Sequence, residues 1–284
     1  MLMWQRRRSS CQSSALPAIS RWVLPVRTRR PVFRRGRMSD PRYAGPGPRC
    51  GVVPGPGVYL AADGGELIAL DVKRDRYLAL DSRASRVDWM ALRGDVAHLS
   101  PQQQLMLDAL LRQRLLMRAP MTTGGFCLPV PHDPRGVSSY SWLPYRSRVA
   151  RSGVSPGLLG VVRSVWFVHC AETVRQRLGI AGLLSWLVER RAGCSRQERR
   201  LHEQRVAAVV RGHLWARSLY PRQVQCLSGS AGLAAHLWRL GIAAEFVIGV
   251  QKYPFVAHAW VEVNGEVIND RAEVSDGLAR LVSV

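Results

Sequence analysis

The stretch from Gln225 to Asp270 constrains the fold more than any other part of the chain. Gln225–Gly241 is an apolar run at helical spacing, and Cys226 stands at its start. Strand-like runs follow near 243–250, 258–263 and 266–270. His258 opens the second of these and Asp270 closes the third. Upstream, helical periodicity covers about 157–177, 180–191 and 196–218, and Pro221 ends the last. Four helices followed by an antiparallel sheet make an α+β pattern.

A thiol, an imidazole and a carboxylate in this order are the minimum set for acyl transfer. Cys226 is predicted at a helix N-terminus, where the dipole and outward N–H groups favour an anion and lower a thiol pKa. The same N–H groups suit an oxyanion. His258 then serves as general base and acid, and Asp270 fixes its tautomer. Each residue alone has an ordinary reading: a small buried cysteine, a core histidine, a turn carboxylate. Their joint placement carries the catalytic one. Gln223 is the candidate side chain for an oxyanion, and His236 is expected to lie away from the thiol.

The hairpin between the last two strands tests that reading. A two-residue Asn264–Gly265 turn pairs Val263 with Glu266 and sets Ala259, not His258, against Asp270. A three-residue loop, Val263 to Gly265 with Gly265 left-handed, pairs Glu262 with Glu266. His258 then lies opposite Asp270 with Cβ atoms ~5 Å apart. The catalytic reading predicts the three-residue loop, and a two-residue turn counts against it.

The N-terminal half has a different pattern. Val58–Ala62, Glu66–Val72 and Tyr77–Leu80 read as three short strands, with turns at Asp63–Gly65 and Lys73–Asp75. Helices are expected over Ser82–Leu92 and Pro101–Met117, the latter carrying Leu105, Leu107, Leu110, Leu111 and Leu115. Together they make a small winged-helix-like module. Residues 40–57 are Pro/Gly-rich and read as a lead-in, and the Pro/Gly-rich stretch after 118 reads as a linker. The expected organisation is an extension over 1–56, a module over 57–118, a linker over 119–150 and a second domain over 151–284.

Composition narrows the classes. The formal charge is +21, but residues 1–37 hold ten arginines and no acid. Removing them leaves 31 basic and 20 acidic residues, a net charge of +11, which suits an acidic peptide. The basic residues do not interleave with aromatics as in a nucleic-acid motif, so no nucleic-acid partner is expected. The first 37 residues have the composition of a transit peptide, and the simpler expectation is a start at Met38. The six cysteines, at 11, 50, 127, 170, 194 and 226, form no CxxC pair. That suits a reducing compartment and no zinc site. No apolar run reaches ~18 residues, so no membrane span is expected.

At the residues of the thiol site the chain resembles a known family. Cys226-Leu227, Ser230, Leu240-Gly241-Ile242, Phe246–Val250, Phe255–Glu262, Gly265 and Asn269-Asp270 look like the C-terminal domain of lasso-peptide biosynthesis B proteins. These are transglutaminase-like cysteine peptidases that remove the leader of a ribosomal precursor peptide. Cys226, His258 and Asp270 fall on the family's Cys, His and Asp. Residues 57–117 are similar to PqqD-like leader-recognition domains through Leu67–Val72 and Arg76–Asp81. There the leader adds a strand beside the third strand and packs on the last helix. Carried over, that groove uses Tyr77, Leu78, Leu107, Leu110, Leu111 and Arg114.

The resemblance implies a fused leader peptidase, acting in the cytoplasm without a metal or cofactor. It implies two partners, the precursor's leader and an ATP-dependent macrolactam synthetase, the lasso cyclase. Two other readings stand beside it. One is acyl transfer to an amine, since water and amine compete for the same thioester. The other is a non-catalytic module that delivers the precursor.

Overall fold

The computed structural model describes residues 50–63, 66–80, 99–120, 153–192 and 202–284. The expected helix at Ser82–Leu92 and most of the expected extension and linker lie outside these residues. The fold is mixed α/β.

The three N-terminal strands form within a residue of where the sequence predicts them. They are β2 (Val58–Asp63), β3 (Glu66–Asp71) and β4 (Arg76–Leu80), in one antiparallel sheet of order β2-β3-β4. Helix α1 (Pro101–Arg112) starts with a capping box: the Gln103 N–H donates to Ser100 Oγ, and the Ser100 N–H donates to Gln103 Oε1. Two expectations fail here. The helix does not run to Met117 but ends at Arg112, and Arg114 takes a left-handed turn at φ 59°. The chain then enters a strand, β5 (Leu116–Pro120), that pairs antiparallel with β1 (Cys50–Pro54). The segment read as a lead-in thus contains a strand, and the module is closed by a pairing of its two ends.

The C-terminal part is built from three helices and a four-stranded sheet. Helix α2 (Gly157–Ala192) is broken at Gly179 (φ 68°), close to the predicted division between two helices. Helices α3 (His202–Leu219) and α4 (Cys226–Arg239) follow. Strands β6 (Glu245–Gln251), β7 (Val256–Val263), β8 (Glu266–Val267) and β9 (Ala279–Ser283) give the order β8-β7-β6-β9, with the short helix α5 (Glu273–Gly277) before β9.

Helix α4 lies at the centre, buried from Ser230 to Trp238. Its small residues allow close packing. A Cβ at Gly232 would stand 3.0 Å from the Phe167 carbonyl oxygen of α2. The helix ends at Gly241, left-handed at φ 75°, with the Ile242 N–H returning to the Leu237 carbonyl.

The N-terminal sheet divides its two faces. Leu60, Leu67 and Ala69 pack with Leu107, Leu110 and Leu115 in the module's own core. Ala61, Ile68, Leu70 and Val72 belong instead to the main core, with Leu233, Leu237, Ile248 and Val250. Burying Ile68 and Leu70 there contributes about 1.5–3 kcal/mol each. The two parts are therefore joined by apolar packing, reinforced by the Lys252 N–H donating to Asp63 Oδ2 at 2.7 Å. Among the described residues no helix is long and apolar enough to cross a membrane.

Candidate active site

Cys226 is the first residue of α4, after Gln225 in extended conformation, and no side chain caps the helix. The first backbone bond of the helix runs from the Gly229 N–H to the Gln225 carbonyl. The N–H groups before it are left to other acceptors. Cys226 is half-buried, and the backbone of Leu227 and Ala259 helps to lower its thiol pKa.

His258 lies near the start of β7, buried, opposite Gly249 of β6. Its Nε2 is 2.7 Å from Asp270 Oδ2. The Cys226 and His258 side chains are close enough that each shifts the other's titration. The other carboxylate oxygen, Oδ1, accepts the Arg271 N–H at 2.8 Å. The three side chains predicted from sequence are thus brought together, with His258 bonded to Asp270 and near Cys226.

The electrostatics follow from the contacts. Burial pushes the Cys226 thiol up, but the hydrogen bond and charge of His258, with the two backbone N–H groups, outweigh it and hold the thiol below its ordinary value. Burial pulls His258 down, and the bonds to Asp270 and Cys226 overcome this and raise it to about 9. Both shifts favour a thiolate beside an imidazolium.

The hairpin is not the one predicted. Val263 pairs with Glu266 and Glu262 with Val267, across a two-residue Asn264–Gly265 turn with φ of 54° and 81°. This is the register that would set Ala259 against Asp270. The expectation failed because it assumed pairing as far as Asp270. The ladder stops after β8 (Glu266–Val267), and one further bond, from the Ile268 N–H to the Val261 carbonyl, ends it. Asp270 is not in a strand, so strand parity does not decide which face it reaches.

The remaining predicted residues scatter. Leu107 and Leu110 are fully buried in the module's core, which corrects their expected place on a groove surface. Leu78 and Leu111 are partly buried against the same core. Tyr77 points the other way, into the main core, with its ring centroid 5.6 Å from that of Phe255. Tyr77 and Leu78 therefore cannot line one face. Arg114 is exposed in the turn after α1, not on the helix. Gln223 is exposed on the loop before α4. His236 lies away from the thiol, stacked on Phe167 at 4.7 Å, with Nδ1 3.2 Å from His213 Nε2.

Sequence reasoning gave no place at the thiol to three contributors, though it read Tyr77 as a leader-groove residue. Tyr77 is one: burial, then the charges of Cys226 and Asp75, push its hydroxyl up to about 12. It remains a hydrogen-bond donor at every working pH. Glu172 of α2 is another; its carboxylate bonds to Arg175 and Gln176, and Ser228, in the first turn of α4, helps to lower its pKa. The third is the Ser230–Asn269 pair, quoted above only as matching residues.

Comparison with known proteins agrees on the C-terminal part. No solved structure matches the chain. A stretch of 59 residues is 42% identical to the microcin J25-processing protein McjB of Escherichia coli, covering 21% of this chain and 28% of that protein. The chain thus spans little more than a quarter of the curated relative it matches. Residues 170–283, which hold Cys226, His258 and Asp270, match the transglutaminase-like superfamily family Transglut_core3, and this part of the chain is a transglutaminase-like domain.

Proposed function

We propose that this chain is the leader peptidase of a lasso-peptide pathway, with Cys226, His258 and Asp270 as its catalytic residues. The observation that carries this reading is the His258–Asp270 hydrogen bond beside a cysteine at the start of a buried helix, close enough that thiol and imidazole shift each other's titration. The similarity to a protein named for microcin J25 processing supports the substrate class, a ribosomal precursor peptide.

The chemistry balances with these groups alone. The Cys226 sulfur attacks the carbonyl carbon at the leader–core junction, and the oxygen takes the negative charge. His258 gives its proton to the departing nitrogen as the C–N bond breaks, releasing the core with a free N-terminus. The leader remains as a thioester on Cys226. Water attacks it, His258 takes the water's proton, and the C–S bond breaks. Asp270 holds the imidazole and stabilises its charged form throughout.

The leader would add as a strand beside β4, the outer strand of its sheet among the described residues. Tyr77, on that strand, reaches the charge of Cys226. Capture and cutting would then share one track. The freed core would pass to an ATP-dependent macrolactam synthetase.

The test is mass spectrometry of the precursor peptide encoded beside this chain, incubated with wild type and with Cys226→Ala. Cleavage at one junction by wild type alone is expected, with the variant slower by more than about a thousandfold. Cleavage by both proteins removes Cys226 from the chemistry. An isopeptide product in place of a free leader establishes acyl transfer to an amine. Precursor binding without cleavage by either protein supports a delivery module.

A further inference from the structure

Beyond Val267, the outer edge of β7 should be bare. In a continued ladder, Val261 and Ala259 would give their N–H and C=O groups to the backbone of residues 268 to 270. The Val261 carbonyl keeps such a partner, the Ile268 N–H, but side chains take the places of the Val261 N–H and the Ala259 carbonyl. The Val261 N–H donates to Asn269 Oδ1 at 2.8 Å. Asn269 Nδ2 donates to Ser230 Oγ at 2.9 Å. The Ser230 hydroxyl donates to the Ala259 carbonyl at 2.8 Å. Each donor has one acceptor, and the single Ser230 proton is used once. The chain of bonds also fixes the amide: Oδ1 must face the Val261 N–H and Nδ2 the hydroxyl.

This arrangement ties three elements together. Ser230 is on α4, one turn beyond Cys226. Ala259 follows His258. Asn269 precedes Asp270. Once Asn269 substitutes its amide for a backbone carbonyl, the next residue is released from the sheet and is free to turn toward β7. The Ala259 N–H on that edge is one of the groups that hold the Cys226 thiol below its ordinary value.

We propose that Asn269 and Ser230 are positioning residues of the thiol site: their linked side chains end the β7–β8 ladder early, which aims Asp270 at His258. Its consequence for cutting rests on the peptidase reading, whereas its consequence for the thiol does not.

The experiment uses the full chain and iodoacetamide. Alkylation of Cys226 is followed from pH 5 to 10 by quantifying the Cys226 peptide, for wild type, Asn269→Leu and Ser230→Ala. The wild-type midpoint is expected below that of an ordinary thiol, ~8.5. Each variant should raise that midpoint by about one unit or more. Where precursor is cut, kcat should fall roughly tenfold or more with KM little changed. A variant with wild-type circular dichroism and an unmoved midpoint overturns the proposal. Should Asn269→Leu fail to fold, Ser230→Ala removes one buried hydroxyl and reads the same midpoint. A wild type that cuts nothing, but whose midpoint moves in the variants, keeps the positioning role and sinks the peptidase reading. Cutting by wild type with unmoved variant midpoints does the reverse.

Discussion

The Asp270 carboxylate is held at both oxygens: Oδ2 meets His258 Nε2 at 2.7 Å, and Oδ1 accepts the Arg271 N–H at 2.8 Å. The second bond leaves the carboxylate little freedom to rotate away from the ring. Asp270 thus stabilises the charged imidazole directly, and His258 titrates at about 9.

That value sets a pH window. His258 is raised from 6.5 to about 9, so its contribution to stability is complete below 6.5 and is lost as pH rises through about 9. Cutting should rise as the Cys226 thiol ionises and fall as His258 loses its proton near pH 9. Asp270→Asn removes the negative charge, so the basic limb should move down toward 6.5, with a smaller rate loss than His258→Ala. The profile of kcat/KM against pH checks this. An unmoved basic limb in the variant removes Asp270 as the partner of His258.

Acid should loosen the seat of the nucleophile helix. Burial raises the Glu172 carboxyl, but its bonds to Arg175, Ser228 and Gln176 win and bring it from 4.5 to about 2. The stability it contributes is therefore present above 4.5 and is lost as pH falls through about 2. Glu172→Gln should show a weaker decline in Tm over that interval than wild type. Parallel declines would mean that Glu172 is not a source of the acid sensitivity.

Gly232→Ala tests the close approach of α4 to α2. Alanine favours a helix over glycine by about 1 kcal/mol. Its Cβ would nevertheless stand 3.0–3.1 Å from backbone atoms of Phe167 and Val168, which cannot step aside as a side chain tip can. Overpacking of this kind costs about 1–3 kcal/mol. The expected result is a lower Tm by several degrees, read by thermal unfolding. A raised Tm would show that the two helices separate without penalty.

Tyr77→Phe separates two roles for one residue. A leader contact made only by its ring predicts unchanged kcat and KM. A hydroxyl acting beside the Cys226 charge predicts lower kcat with KM little changed. Because Tyr77 faces the main core and feels that charge, the second outcome is expected. Steady-state kinetics on the precursor decide between them.

Periodicity carries some features of this fold and hides others. Short apolar runs bounded by turn residues mark Val58–Asp63 and Glu66–Asp71, because both faces of each strand pack in a core. Cys226 is legible as a helix start because an apolar helical run begins there. The end of α1 is not legible: Leu107, Leu111 and Leu115 keep helical spacing past Arg112, and the break is made by a left-handed arginine. The hairpin failed for a related reason. Asn269 puts a side-chain amide where a backbone carbonyl is expected, and spacing rules count only backbone. The pairing of Cys50–Pro54 with Leu116–Pro120 is a long-range contact between segments with no shared pattern.

Ile68 and Leu70 look inward to a core they share with Leu233 and Leu237. A chain severed between residues 120 and 153 would therefore not yield two self-sufficient pieces. Each fragment would carry a sticky seam, and the two would be recovered as a complemented pair or would aggregate when made apart.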